Sequence, residues 1–189
     1  MTAAMYLPTF FLKQKFAMTT NRYELFAANP DGTFGQLMGF AEQKRLAFKE
    51  QVTFYSDQTK TRPVFSFKAR AVMELNSGYD ISDEAGNQIG FFRKDFGASL
   101  MRSTFHLEGH GYAGRGQERS QAVALLRRFA DIPFLPIHFD FVTPEGEPLL
   151  GVERQGSVRD KYTVHVPDPR VDFRVAAAVA VGLDALMQR

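Results

Sequence analysis

The most constraining feature of the sequence is the apolar run near its C-terminus. Between Arg174 and Asp184, the nine residues VAAAVAVGL carry no polar side chain on any face of a helix. A membrane span needs about 20 apolar residues, so this run is too short to cross a bilayer. A helix that is apolar on all sides belongs inside a core, and its alanine and glycine side chains suit close enclosure by a sheet. We predict that the helix begins with Asp168 as N-cap and Pro169 at the first helical position.

The rest of the chain carries many signals for short β-strands. One pattern occurs three times: an alternating apolar strand that begins with an aromatic residue, a turn that contains glycine, and an aliphatic–glycine pair that opens a second strand. Glycine readily takes the positive φ that hairpin turns require. The copies span residues 23–39, 79–90 and 139–151. Further alternating segments bring the count to about a dozen strands, as expected of a barrel or a sandwich.

A second helix is predicted from Gln117 to Phe129. Its apolar residues fall on one stripe, and Arg127 and Arg128 lie near the negative end of the helix dipole. This pattern is typical of an amphipathic helix on the protein surface. The length of 189 residues predicts a single domain over residues 1–189.

Composition excludes several functional classes. The chain has no cysteine, which removes disulfides, thiolate zinc sites and thiol nucleophiles and fits a reducing compartment. The chain has 23 basic and 21 acidic side chains, a net charge of +2. Because this charge is too small to attract a polyanion, we expect no nucleic-acid partner. The N-terminal residues lack the pattern of an export signal. These features predict a cytoplasmic monomer without a transmembrane segment or a cofactor.

The order of these elements resembles the tubby C-terminal-like superfamily, in its bacterial LURP-one-related and phospholipid-scramblase-like branch. The resemblance is carried by four segments, at residues 63–70, 79–90, 102–105 and 172–187. It implies a mainly β fold in which a closed antiparallel barrel of about 12 strands surrounds the apolar C-terminal helix, with the amphipathic helix outside. Scramblase relatives carry acylated cysteines, and this chain departs from them by having none.

The resemblance also implies a binding site. In tubby-like domains a Lys-x-Arg pair ahead of the Tyr-Asp hairpin contacts the phosphates of membrane lipids, and Lys68 and Arg70 stand at the matching place. Two residues apart on a strand, they share a face and can reach one phosphate group. Because the helix fills the barrel, we expect the site on the outer face or at a rim. Arg93, Lys94 and Arg102 extend the candidate set.

The function implied is non-enzymatic binding or scaffolding at an anionic phospholipid or a phosphate-bearing partner, with the protein peripheral to a membrane. A purely structural interpretation of Lys68 and Arg70 is a solvated or salt-bridged strand face. A protein–protein interaction module is a further alternative, although the sequence offers no interface signal for it.

Two enzyme-like patterns occur in the segment from His106 to Gly116. Gly109, Gly111 and Gly114 match G-x-G-x-x-G after a predicted strand and before a predicted helix, as in dinucleotide-binding proteins. That fold needs βαβ units, however, and the first hundred residues predict hairpins.

The second pattern is a set of metal-ligand side chains. His106, Glu108 and His110 have period-2 spacing, so an extended chain would place two imidazoles and a carboxylate on one side, the ligand set of a non-haem iron site. A small metalloprotein or a nucleotide-binding enzyme is therefore the alternative from another functional class. The competing structural explanation is that these histidines are exposed loop residues without a ligand.

Overall fold

Twelve β-strands and one helix are present in the part of the chain that the structure describes. The computed structural model describes residues 5–16, 20–44, 51–70, 78–95, 103–120, 138–155 and 161–187. The strands are β1 (Thr9–Phe16), β2 (Thr20–Ala28), β3 (Phe34–Lys44), β4 (Gln51–Tyr55), β5 (Pro63–Ala69), β6 (Tyr79–Asp83), β7 (Gln88–Asp95), β8 (Thr104–Gly109), β9 (Tyr112–Glu118), β10 (His138–Val142), β11 (Pro148–Gln155) and β12 (Lys161–His165). The C-terminal helix spans Phe173–Met187.

The strands form one closed antiparallel barrel. They follow one another around the barrel in chain order, and β1 closes it by pairing with β12. Phe10 lies opposite Val164 and Leu12 opposite Tyr162 across that closing pair. Closure gives every described strand a neighbour on each side. The predicted fold class, a closed barrel of about 12 strands around the C-terminal helix, is confirmed.

All three predicted hairpins are present, as β2–β3, β6–β7 and β10–β11. Their turns contain Gly32, Gly86 and Gly146, which have φ values of 77°, 84° and 89°. In an antiparallel barrel with this strand order, the turns that follow even-numbered strands meet at one end. β12 delivers the chain to the same end, so the C-terminal helix enters the barrel beside these turns.

The C-terminal helix fills the barrel interior. Every side chain from Val175 to Val181 has no exposed surface. The strands enclose the helix so closely that a Cβ atom added at Gly182 would lie 2.5 Å from the Phe92 ring. The predicted central position of the helix is thereby confirmed. Within the described ranges, no helix combines the length and the apolar character that crossing a membrane requires.

The predicted start of this helix is wrong by four residues. The N-cap is Asp172, whose Oδ1 accepts the backbone N–H of Arg174 at 2.9 Å and whose backbone carbonyl accepts that of Ala176 at 3.0 Å. Asp168 instead accepts the backbone N–H of Arg170 and binds its guanidinium. Asp168 and Pro169 therefore belong to a turn that precedes the helix.

The predicted helix from Gln117 to Phe129 is wrong at its first residues. Gln117 and Glu118 belong to β9, where Glu118 lies opposite Phe139 of β10. Arg119 extends the pairing, since its N–H donates to the carbonyl of His138 at 2.8 Å. Cross-strand pairing overrides the local helical pattern here. Residues 121–137, which carry the rest of this prediction, lie outside the described residues.

Candidate functional site

The alternation of β5 places Lys68 and Arg70 on the outer surface. Phe65 and Phe67 are buried in the core, so the residues between and after them point away from it. Lys68 is exposed near the end of β5, and Arg70 is exposed directly after it. The prediction that this pair shares the outer face of the barrel agrees with their positions.

Arg70 is held in a fixed orientation by two neighbours. Its Nε lies 2.9 and 3.0 Å from the two carboxylate oxygens of Asp80, and its Nη2 lies 2.7 Å from Oδ1. The guanidinium carbon also lies 3.9 Å from the centroid of the Phe91 ring. The Asp80 carboxylate raises the pKa of Arg70 above its ordinary value. The side chain nevertheless remains 48% exposed, so part of the guanidinium faces solvent.

Lys68 is the cross-strand neighbour of the same aspartate. In the β5–β6 register it is directly opposite Asp80, the same residue that binds the guanidinium of Arg70. The ammonium of Lys68 forms no hydrogen bond or ion pair with any residue in the described ranges. The structural interpretation of a salt-bridged strand face therefore holds for Arg70, which is paired with Asp80. It does not hold for Lys68, whose ammonium is accessible to a ligand.

The remaining candidate cations do not all join this face. Phe92 packs in the core, so Arg93 points outward beside Phe91. Lys94 takes the inward direction of Phe92, and its Nζ lies 6.0 Å from the ring centroid of the buried Phe105. Arg102 lies outside the described residues. The outer face therefore gathers Lys68, Arg70 and Arg93 but not Lys94.

A groove of about 250 Å³ runs along this outer face. It joins one of the basic candidates, Arg70, to the histidine-containing segment. The groove is lined by Arg70, Gln88, Ile89, Gly90, Phe91, Glu108, Gly109 and His110. Its base is the Phe91 ring, which fits tightly against Gly78: a Cβ atom there would lie 2.5 Å from the ring.

The three metal-ligand candidates do not converge. Glu108 and His110 line the groove, whereas the Nε2 of His106 is 3.0 Å from Oδ2 of Asp95 and its ring is not part of the lining. Across the described segments, no group of three or more histidine, aspartate or glutamate side chains has the arrangement needed to hold a metal ion.

The glycine pattern of residues 109–114 has a structural role in a hairpin. Gly109 pairs with Tyr112, so His110 and Gly111 form the tight turn between β8 and β9. Arg170 donates from Nη1 to the carbonyl of Gly111 at 3.0 Å and fixes this turn to the segment before the C-terminal helix. Because a strand follows the pattern instead of a helix, the interpretation as a dinucleotide-binding turn is wrong.

Sequence reasoning missed the acidic and amide side chains of the site. The sequence pattern assigns Asp80 and Gln88 to a hairpin and gives neither of them a role in the basic site. Their importance comes from register: Asp80 faces Lys68 across the β5–β6 pair, and Gln88 donates from Nε2 to Asp80 Oδ1 at 2.9 Å. The alternation of Tyr79-Asp80-Ile81 does place Asp80 outward, which is a signal that could have been used.

A family model described as LURP-one-related matches residues 38–184, well over half of the chain. The matched range contains every residue that lines the groove. No curated protein and no solved structure matches the chain.

Proposed function

The chain belongs to the LURP-one-related family, and from that premise we propose that it is a non-enzymatic domain that binds phosphate groups, chiefly those of anionic phospholipids, on its outer barrel face. The observation that supports this most directly is the arrangement of Lys68 and Arg70. Arg70 is oriented by Asp80 and Phe91 yet half exposed, and Lys68 stands beside it with no ion-pair partner among the described residues.

The filled interior supports an external site. The helix residues from Val175 to Val181 have no exposed surface, so the barrel has no room for a ligand of headgroup size along this stretch. The outer groove offers about 250 Å³ and borders Arg70. A ligand held there keeps its bulk in the surrounding medium, which suits a headgroup presented by a membrane surface. On this proposal the protein associates with membranes peripherally.

Binding is preferred to catalysis because neither enzyme-like pattern is assembled into a site. Residues 109–114 turn between two strands and leave no helix N-terminus at which a pyrophosphate would bind. His106 is engaged by Asp95, away from the groove that contains Glu108 and His110.

The charges set the expected strength. Each lysine or arginine near an anionic membrane surface contributes about 1 kcal/mol, so the pair contributes about 2 kcal/mol, or roughly 30-fold in affinity. Asp80 offsets part of this, since its carboxylate binds Arg70 and it lies opposite Lys68 across the strand pair. Binding should therefore be moderate and should weaken as salt is added.

The test is co-sedimentation with neutral and anionic liposomes across a salt series. We expect the wild type to bind anionic vesicles at low salt and the double variant Lys68→Ala with Arg70→Ala to lose roughly 10- to 30-fold in affinity. The matched control is Lys13→Ala with Lys161→Ala. These lysines face each other on β1 and β12, on the far side of the barrel, and the control removes the same charge.

Equal losses in both double variants would mean that only net charge matters, and the proposed site would be wrong. Absence of binding by the wild type at low salt would make lipid recognition untenable and favour a protein partner. Thermal unfolding of each variant verifies that Asp80, left without Arg70, does not disturb the fold.

A further inference from the structure

The groove is not uniformly basic. Glu108 borders it with a carboxylate that has no hydrogen-bond or ion-pair partner among the described residues, although Arg70 borders the same groove. Arg70 forms its ion pair with Asp80 and not with Glu108. The carboxylate of Glu108 is exposed and, although its charge contributes to the raised pKa of Arg70, it forms no ion pair with that cation.

Gln88 adds a second acceptor. Its Nε2 donates to Asp80 at 2.9 Å, which fixes the orientation of the amide and leaves the carbonyl oxygen to accept a hydrogen bond. The groove thus combines the cationic Arg70 with two acceptors, the Glu108 carboxylate and the Gln88 carbonyl oxygen.

This combination fits a particular ligand chemistry. A ligand that carried only phosphate would be repelled by Glu108, because like charges at close range cost free energy in a partly desolvated site. A primary ammonium group offers three N–H donors and a positive charge, which the Glu108 carboxylate and the Gln88 carbonyl can accept. A ligand with phosphate and primary ammonium joined by a short linker would satisfy both parts of the groove.

We propose that the groove selects an aminophosphate group, with its phosphate at Arg70 and its primary ammonium at Glu108. Lys68 lies outside the groove lining and adds positive charge beside Arg70. This inference rests on the proposed function and specifies its ligand. The group is of the phosphoethanolamine type, and the groove, with a volume of about 250 Å³, has room for a headgroup of this size. Either an aminophospholipid or a free phosphomonoester can supply this chemistry.

The first arm of the test uses soluble probes and calorimetry. The wild type should bind phosphoethanolamine more tightly than inorganic phosphate or ethanolamine. Glu108→Gln should lower phosphoethanolamine affinity by about 10-fold, the scale of one charge-assisted hydrogen bond, and leave phosphate affinity unchanged or raised. The matched control is Glu145→Gln, which removes the same charge from the exposed β10–β11 turn outside the groove.

The second arm uses vesicles of equal negative charge. Phosphatidylglycerol vesicles are diluted with either phosphatidylethanolamine or phosphatidylcholine, whose quaternary ammonium cannot donate hydrogen bonds. Tighter wild-type binding to the ethanolamine vesicles, lost in Glu108→Gln, would support a lipid source. Selective binding of soluble phosphoethanolamine without this vesicle preference would support a free phosphomonoester.

Failure of the inference and failure of the proposed function give different results. If Glu108→Gln leaves the preference for phosphoethanolamine over phosphate unchanged, while the Lys68 and Arg70 double variant abolishes binding of both, the aminophosphate assignment is wrong and phosphate binding stands. If the wild type binds neither phosphate nor any vesicle, both are wrong.

Discussion

At the scale of single residues, the fully buried Arg174 ties three parts of the chain together. Its guanidinium donates to both carboxylate oxygens of Asp172, at 3.0 and 2.8 Å, and to Glu84 in the β6–β7 turn at 3.0 Å. The backbone N–H of Met5 donates to the same Asp172 carboxylate at 3.0 Å. A buried arginine is tolerated because its charge is paired, and removal of one partner leaves the other uncompensated.

Arg174→Met should therefore destabilise the protein strongly, by about 3–5 kcal/mol, because Asp172 would remain buried without its cation. Denaturant-induced unfolding measures the loss. Glu84→Gln should cost less than about 1 kcal/mol, since the Glu84 side chain is 53% exposed. The double variant Asp172→Asn with Arg174→Met should be more stable than Arg174→Met alone, because asparagine caps a helix as well as aspartate does. Equal stabilities of the single and double variants would contradict the buried-charge explanation.

At the scale of elements, the C-terminal helix and β7 meet where Gly182 faces Phe92. The Phe92 ring also stacks on Tyr79 of β6, with ring centroids 5.0 Å apart, so it has little freedom to move away. A glycine in the middle of a helix costs about 1 kcal/mol relative to alanine. Glycine is nevertheless found at position 182, because the Phe92 ring occupies the space that a side chain would need.

Gly182→Ala should destabilise the protein by about 1–3 kcal/mol, even though alanine favours the helix. The physical reason is the 2.5 Å approach of an added Cβ atom to the Phe92 ring. Phe92→Leu should recover part of this loss in the double variant, and a double-mutant cycle by urea unfolding measures the coupling. Independent effects of the two changes would show that the contact does not control the packing.

The same elements show how far the sequence could predict the structure. The all-apolar run identified a buried helix, because no exposed face was possible. Its start could not be chosen from the sequence, because Asp168 and Asp172 are both good caps; contacts from Met5 and Glu84 to the Asp172–Arg174 pair accompany the start at Phe173. Likewise, the assignment of Gln117 and Glu118 to β9 depends on pairing with β10, which local periodicity does not report.

At the scale of the whole molecule, the number of strands predicted a barrel or a sandwich, and the resemblance to tubby-like domains implied the closed barrel around the helix. Cross-strand register could not be predicted. Cross-strand register explains why some residues of the candidate site could be predicted from the sequence and others could not. Alternation along one strand correctly placed Lys68 and Arg70 on the outer face. The position of Asp80 opposite Lys68, and the groove that brings Glu108 to Arg70, depend on which residues of neighbouring strands lie side by side.

The number of residue pairs between neighbouring strands predicts where the barrel opens first. An open sheet exchanges its backbone amide hydrogens fastest at its terminal strands, but here β1 and β12 are joined by five residue pairs, from Thr9 with His165 to Lys13 with Lys161. In the described residues, β3 and β4 are joined by one residue pair, Phe40 with Tyr55, so this seam is more weakly paired than the one between β1 and β12.

Native-state hydrogen exchange should therefore show the amides that face the β3–β4 seam exchanging faster than those between β1 and β12. The latter should approach the protection of the β8–β9 pair, which is joined by six residue pairs and serves as the internal reference. Fastest exchange at β1 and β12 would mean that the closing pair is the weak point and that the barrel behaves in solution as an open sheet. Slow exchange there, with early opening at β3–β4, would show that closure stabilises the strands nearest the chain ends.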